Sequence, residues 1–335
     1  MITTDFTDPD RVPEVALDWH RAGRGAVLIL VTETWGSAPR RAGAMMAVSA
    51  EGGVTGSVAG GCVEGAVVVE ALDALAEGRT RHVDYGVSDG DAMAAGLACG
   101  GRISLLVAPV GEGGLTATLL EDLVAARAAR QAVALIFDEG GGFRLAHPGQ
   151  RAALDDRFLA DRSGIAQDGD TVIICNPAPR LVVVGAVQIA QSLLPMARAC
   201  GYQPILIDPR GTFAAQARFP GEMIFEDYPD QVMRGPYLPD ARTGVVVLAH
   251  DPKIDDPALR VALASNAFYI GCLGSTRTHA KRLERLAGAG DLTRLRGPVG
   301  LAIGAATPAE IALSILAQMT AKLRGAADLV PDPRT

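Results

Sequence analysis

The spacing of apolar residues changes several times along the chain, and each change marks an element. Residues 13–24 have helical spacing, 26–31 form a strand-like apolar run, and 45–48 and 56–59 read as strands joined by the turn Ala50-Glu51-Gly52-Gly53. Residues 62–77 carry Val63, Ala66, Val67, Ala71 and Ala74 at the period of a helix that stops at Gly78. Then come a strand at 101–107, a helix at 115–130 and a strand at 132–137, while the Gly- and charge-rich stretch 138–170 reads as loop.

Asn176-Pro177-Ala178-Pro179 punctuates the chain, and a more regular rhythm follows. Short apolar runs at 181–184, 205–207, 223–225, 245–249 and 267–270 alternate with helical patterns at 189–200, 257–265, 276–287 and 308–323. That alternation predicts a parallel sheet covered on both faces. The fold class expected is α/β, with an N-terminal α+β domain over residues 1–176 followed by a doubly wound, Rossmann-like domain over 178–325 and a tail over 326–335.

Composition narrows the function. At 335 residues with 49% apolar and 21% charged residues, the chain has material for two buried cores. Only 4% of residues are aromatic and the net charge is −7, which argues against a nucleic-acid partner. No apolar run has the roughly 18–20 residues of a membrane helix. The polar, acidic start at Met1 to Phe6 lacks the features of a signal peptide, so a cytoplasmic location without a membrane partner is expected. Five cysteines spread through such a chain are expected to be free thiols, each serving as core filler or as chemistry.

One of them stands out. In Gly60-Gly61-Cys62-Val63-Glu64-Gly65, two glycines precede a thiol at the start of a helix. Gly60 and Gly61 permit a positive φ and close approach of a ligand, and a helix N-terminus favours negative charge. Cys62 is therefore a candidate thiolate, able to act as nucleophile, sulfur acceptor or soft metal ligand. Glu64 could cap the helix or contact the ligand. Cys99, in Gly96-Leu97-Ala98-Cys99-Gly100-Gly101, is a second thiol between glycines and could converge on the same ligand. No CxxC or HxxxH spacing points to zinc. Upstream, Gly36-Ser37-Ala38-Pro39-Arg40-Arg41 offers Arg40 and Arg41 to a phosphate or another oxyanion.

In the second half, Gly185-Ala186-Val187-Gln188-Ile189-Ala190 has the place and shape of a dinucleotide fingerprint, with Asp208 where an acid binds a ribose hydroxyl. Val187 occupies the position where glycine lets the backbone approach a pyrophosphate. The fold reading is thus stronger than the reading of NAD(P) as a cofactor. His250-Asp251, Gly300 with Gly304, and Gly274-Ser275 with Arg277 and His279 are further polar clusters expected at the ligand-binding edge of the sheet.

From Glu14 to Leu323 the chain resembles the XdhC/CoxI family, accessory factors of xanthine dehydrogenase and related molybdenum hydroxylases. The residues that carry the resemblance are Gly60-Gly61-Cys62-Val63-Glu64-Gly65, the Gly-Ser-x-Pro-Arg run at Gly36 to Arg40, Tyr269-Ile270-Gly271 through Arg282, and Gly297-Pro298-Val299-Gly300-Leu301 leading to Thr307-Pro308-Ala309-Glu310-Ile311-Ala312. The resemblance implies a chaperone that is not itself an enzyme. It would bind molybdenum cofactor (molybdopterin) through Cys62, Gly60, Gly61, Glu64, Arg40, Cys99, Ser275, Arg277 and His279, with Cys62 contacting the molybdenum or its sulfur. The implied partners are a cysteine-desulfurase-like sulfur donor and a xanthine-dehydrogenase-type molybdenum hydroxylase, and a homodimer is expected. The chain departs from the family pattern at Val187, where glycine is usual, at Gln188, often histidine, at Ala302, usually acidic, and at Ala306, usually basic. All four lie in the second half and weigh against the alternative, an NAD(P)-dependent oxidoreductase.

Overall fold

The first strand, β1 (Val27–Trp35), opens with six consecutive buried residues, because helices and strands cover both faces of its sheet. The structure, a computed structural model, describes residues 11–36, 40–61, 63–86, 101–138, 140–212, 214, 216–235 and 237–326. The chain divides into two compact units, Met1–Pro177 and Ala178–Thr335.

In the first unit, helix α1 (Val12–Arg21) precedes β1, and β2 (Met45–Val48), β3 (Val54–Gly56), α2 (Glu64–Glu77), β4 (Arg81–Tyr85), β5 (Arg102–Pro109) and α3 (Ala117–Ala128) follow. The five strands form an antiparallel sheet in the order β3-β2-β1-β5-β4. Alternation divides its side chains between two cores. Val27, Ile29, Val31, Ile103, Leu105 and Val107 face Val63, Val67, Ala71 and Ala74 of the α2 region. Leu28, Leu30, Leu106 and Ala108 face α1 and α3. A second sheet, β7-β6-β9-β8, is built from β6 (Val133–Phe137), β7 (Phe143–Ala146), β8 (Gly164–Ile165) and β9 (Thr171–Cys175). Helix α4 (Ala152–Ala160) packs Leu154 and Phe158 on Ala134, Ile136 and Val172 of that sheet.

Stretch 138–170, read as loop, therefore holds β7, α4 and β8. The expected strand at 56–59 is displaced: β3 ends at Gly56, where φ is +76° and a Cβ would lie 2.4 Å from the Met45 carbonyl oxygen. Val58 and Ala59 are buried as part of the turn that follows.

The second unit contains β10 (Arg180–Val184), α5 (Gln188–Ala199), β11 (Gln203–Ile207), β12 (Met223–Phe225), α6 (Pro229–Arg234), β13 (Thr243–Val247), α7 (Pro252–Ala264), β14 (Tyr269–Cys272), α8 (Thr276–Arg285), β15 (Leu295–Arg296) and α9 (Pro308–Leu323). All strand pairs are parallel in the order β12-β11-β10-β13-β14-β15. Numbered within the unit this is 3-2-1-4-5-6, the order of a doubly wound dinucleotide-binding sheet. Leu181 and Val183 pack on α5 and α9, while Val182 and Val184 pack on the α7 side. Helix α7 starts at Pro252, five residues before the expected 257, because Asp251 caps it by accepting from Lys253 N at 3.0 Å. Its first-turn proline is Pro252, and Pro257 sits inside the helix.

Candidate functional site

Strand direction gathers the N-terminal candidates at one edge of the five-stranded sheet. Strand β1 ends there and β2 begins there, so the exposed Arg40 and Arg41, which fall between them, lie at that edge. Strand β3 runs antiparallel to β2 and ends at the same edge, which puts Gly60 and Gly61 there too. Strand β4 ends and β5 begins there as well, so the described residues Gly86 and Gly101, between which Cys99 falls in sequence, mark it. Cys62 and Cys99 themselves, like Ser37 to Pro39, lie outside the described residues.

The turn before α2 is closed by its own carboxylate. Glu64 Oε1 accepts from Ser57 Oγ at 2.8 Å and from Ala59 N at 3.0 Å, and Oε2 accepts from Gly61 N at 2.7 Å. Ser57 Oγ in turn accepts from Gly60 N at 3.0 Å. Partial burial would raise the pKa of Glu64, but the Ser57 hydroxyl and the backbone N–H groups of Ala59, Glu64 itself and Gly61 outweigh it and hold the pKa below its ordinary value. On the helix side, Val63 is buried in the core beneath α2. Outward, the loop is open: a Cβ on Gly61 (φ +111°) or Gly65 would meet no atom within 4 Å, and Gly60, Gly61, Gly65 and Ala66 are exposed.

Two contributors carry little signal in the sequence. Ser57 links the turn to Glu64, and its only mark is a short hydroxyl three residues before a glycine. Trp35 ends β1 with 46% exposure, and the Arg102 guanidinium lies 5.3 Å from its ring centroid.

In the second unit, Ser275 caps α8 by accepting from Thr278 N at 3.2 Å, and Arg277 is exposed in the first turn. His279 is half-buried against Gly297, where a Cβ would lie 2.2 Å from its Nδ1. Burial, seconded by the Arg282 charge, lowers the pKa of His279. Arg282, only 2% exposed, donates to the Leu273 carbonyl at 2.9 Å and lies 4.0 Å from Asp255. Burial pushes the Asp255 carboxyl up to about 7, against the pull of Arg282. Arg282 Nε and Nη1, Asp255 Oδ1 and His279 Nδ1 are buried without a hydrogen-bond partner. Among the described cysteines, Cys272 and Cys175 are core residues whose thiols burial pushes up to about 12 and about 11, while Cys200 is exposed.

The fingerprint turn is closed differently. A Cβ on Gly185 (φ +110°) would lie 2.6 Å from Ala249 N, so only glycine passes the end of β13. Asp208, fully buried, accepts from Ala186 N at 2.7 Å and from the Arg210 main chain and guanidinium at 2.8–2.9 Å. These bonds use its roughly four lone-pair positions. A ribose hydroxyl would have to displace Arg210. His250 follows with φ +60° at the same edge. Among the described residues, no three His, Cys, Asp or Glu side chains are grouped to hold a metal ion, and no helix is long and apolar enough to cross a membrane.

Both units of the chain are similar to known proteins. Residues 19–86 match the model of the XdhC and CoxI family, and residues 181–319 match that of the XdhC Rossmann domain. The Escherichia coli (strain K12) molybdenum cofactor insertion chaperone PaoD is 32% identical over 321 residues, covering 94% of this chain and 89% of PaoD. The chain belongs to the XdhC/CoxI family. A second family relative, a probable xanthine dehydrogenase component of Bacillus subtilis (strain 168), is 28% identical over 88% of this chain and 92% of its own. A crystal structure described as a xanthine dehydrogenase from Bacillus halodurans superposes with a TM-score of 0.70 over 96% of this chain and 98% of that one, at 24% identity. It supports the fold. Within this XdhC/CoxI chain, the first family match contains both the Gly36–Arg41 run and the Gly60–Gly65 loop, while Ser275, Arg277 and His279 fall in the second.

Proposed function

We propose that this protein is a chaperone that binds molybdenum cofactor and delivers it to a xanthine-dehydrogenase-type molybdenum hydroxylase. The observation that carries the reading is the Gly60-Gly61-Cys62 loop. On its described sides, the Ser57–Gly61 turn is held from within by Glu64, Val63 is buried, and the backbone at Gly61 and Gly65 is open to solvent. Residues without side chains on the outer side leave room for a bulky metal–pterin next to position 62. The naming of PaoD as a molybdenum cofactor insertion chaperone adds support.

In this reading the cargo is a metal–pterin with a phosphate. The Cys62 thiolate is a soft donor suited to molybdenum or to a sulfur carried on it. Arg40, at the same sheet edge, is a cation suited to the phosphate, and Cys99 supplies a second thiol. Ser275, Arg277 and His279 form a separate polar position in the second unit. The protein holds the cofactor during sulfuration by a cysteine-desulfurase-like donor and works in the cytoplasm, as a homodimer. It turns over no substrate of its own.

The test is transfer. An apo-hydroxylase is incubated with cofactor-loaded protein or with loaded Cys62→Ala, and hydroxylase activity is followed. The expected result is activation by the wild type and little by the variant, and equal activation by both would overturn the role of Cys62.

A further inference from the structure

The turn from Ser57 to Gly61 points its N–H groups inward, as an anion-binding turn does, yet the group they meet belongs to the protein. Ala59 N and Gly61 N donate to the two different oxygens of Glu64, Ser57 Oγ donates to one of those oxygens, and Gly60 N donates to Ser57 Oγ. Three hydrogen bonds thus tie the turn to Glu64, the first residue of α2, and the fourth braces the turn internally. The three end on a carboxylate, an acceptor that binds N–H and O–H groups strongly. The helix is itself fixed, since Val63, Val67, Ala71 and Ala74 are buried against the sheet. The Glu64 main chain is therefore anchored, and its side chain carries that anchorage across to Gly61.

We infer that Glu64 is a positioning residue: its carboxylate fills the N–H nest of the Ser57–Gly61 turn and fixes the backbone that presents the cofactor-binding loop. This rests on the function proposed above, and it assigns Glu64 a task distinct from contacting the ligand. Two consequences follow from the chemistry. The wild-type nest has no free N–H donors at Ala59 and Gly61 for a phosphate, so the cofactor's phosphate is held elsewhere. A turn emptied of Glu64 should accept a small carboxylate in its place, because the donors that bound the side chain remain.

The experiment uses the full chain with Glu64→Ala, Glu64→Gln and Ser57→Ala. Amide exchange at Ala59 and Gly61 and retention of molybdenum cofactor through gel filtration are each read in chloride and in acetate. In Glu64→Ala, exchange at Ala59 and Gly61 should rise about tenfold or more, while amides of β1 and β5 stay protected. Cofactor retention should fall by about tenfold. Acetate should restore both and chloride neither, because only the carboxylate fits the paired donors. Glu64→Gln keeps one acceptor oxygen and should lie between, and Ser57→Ala should speed exchange chiefly at Gly60. A merely structural glutamate would give no rescue specific to carboxylates. Unchanged exchange at Ala59 and Gly61 in Glu64→Ala would overturn the inference, as would equal effects of acetate and chloride. If the wild type retains no cofactor, the proposed function fails, while the exchange measurements still decide on Glu64.

Discussion

The turns before α2 and α5 each lead through glycine from a strand into a helix, and in both a carboxylate accepts from the turn's backbone. Before α2 the acid is Glu64, local in sequence, half-buried and opposite an open surface at Gly61 and Gly65. Before α5 it is Asp208, which comes from the end of the next strand, is wholly buried and is gripped by the Arg210 guanidinium. The same bonding produces a presented loop in one place and a sealed junction in the other. What differs is the space beyond the glycine: nothing lies within 4 Å of a Cβ at Gly61, whereas Ala249 backbone lies at 2.6 Å at Gly185. A glycine in such a turn is therefore a sign of function only once its outward neighbours are known.

The comparison breaks most visibly at the glycines. Gly185→Ala meets both an unfavourable φ and a backbone clash, and should cost about 3–5 kcal/mol or prevent folding of the second unit. Gly61→Ala meets the φ penalty alone and should cost about 1–3 kcal/mol. Hydrogen exchange resolved by unit measures both, and equal costs would remove the distinction. Asp208→Ala removes the acceptor of the buried Ala186 N–H and of the partly exposed Arg210 guanidinium. Its expected cost is about 1–3 kcal/mol in the second unit, with protection of the five-stranded sheet unchanged.

The pH dependence separates the acids further. Burial alone would raise the pKa of Asp208, but Arg210 and the Ala186 N–H hold it below its ordinary value. Its stabilisation is thus present above the unfolded pKa near 4 and is lost as the pH falls through the lower folded value. Asp255 behaves oppositely. Its folded pKa of about 7 exceeds the unfolded one, so its contribution is fully favourable below about pH 4 and declines as the pH rises through 7. Second-unit stability should therefore fall between about pH 5 and 7, and Asp255→Asn should flatten that slope; an unaltered slope would assign it to another group. The smallest effect concerns nucleotides. Titration with NAD(H) or NADP(H) should give no binding up to about millimolar, and Val187→Gly alone should change nothing, because Asp208 stays with Arg210.

Much of this architecture was legible in the chain. Met45–Val48, Met223–Phe225 and Pro308–Leu323 coincide with their expected bounds, since each combines a clear apolar period with turn or capping residues. Strand β4 left no such trace: Arg81-His82-Val83-Asp84-Tyr85 is an edge strand with little buried surface, held by pairing to β5. The helix and strands within 138–170 were hidden by glycines and charges that turn out to punctuate them. At the site, glycine, cysteine and a nearby acid could be read as a ligand loop, but the direction in which Glu64 points depends on Ser57 and Ala59 and is a tertiary fact. The partnership of Asp208 with Arg210 was hidden in the same way, because Asp-Pro-Arg does not say that the guanidinium folds back.

The central claim is that the open glycine turn, and not the sealed one, holds the cofactor. Its most direct test is to load the wild type, Cys62→Ala and Val187→Gly with molybdenum cofactor and to measure bound molybdopterin after gel filtration. The account predicts about tenfold or greater loss for Cys62→Ala and retention equal to wild type for Val187→Gly. Full retention by Cys62→Ala, or a loss confined to Val187→Gly, would contradict it.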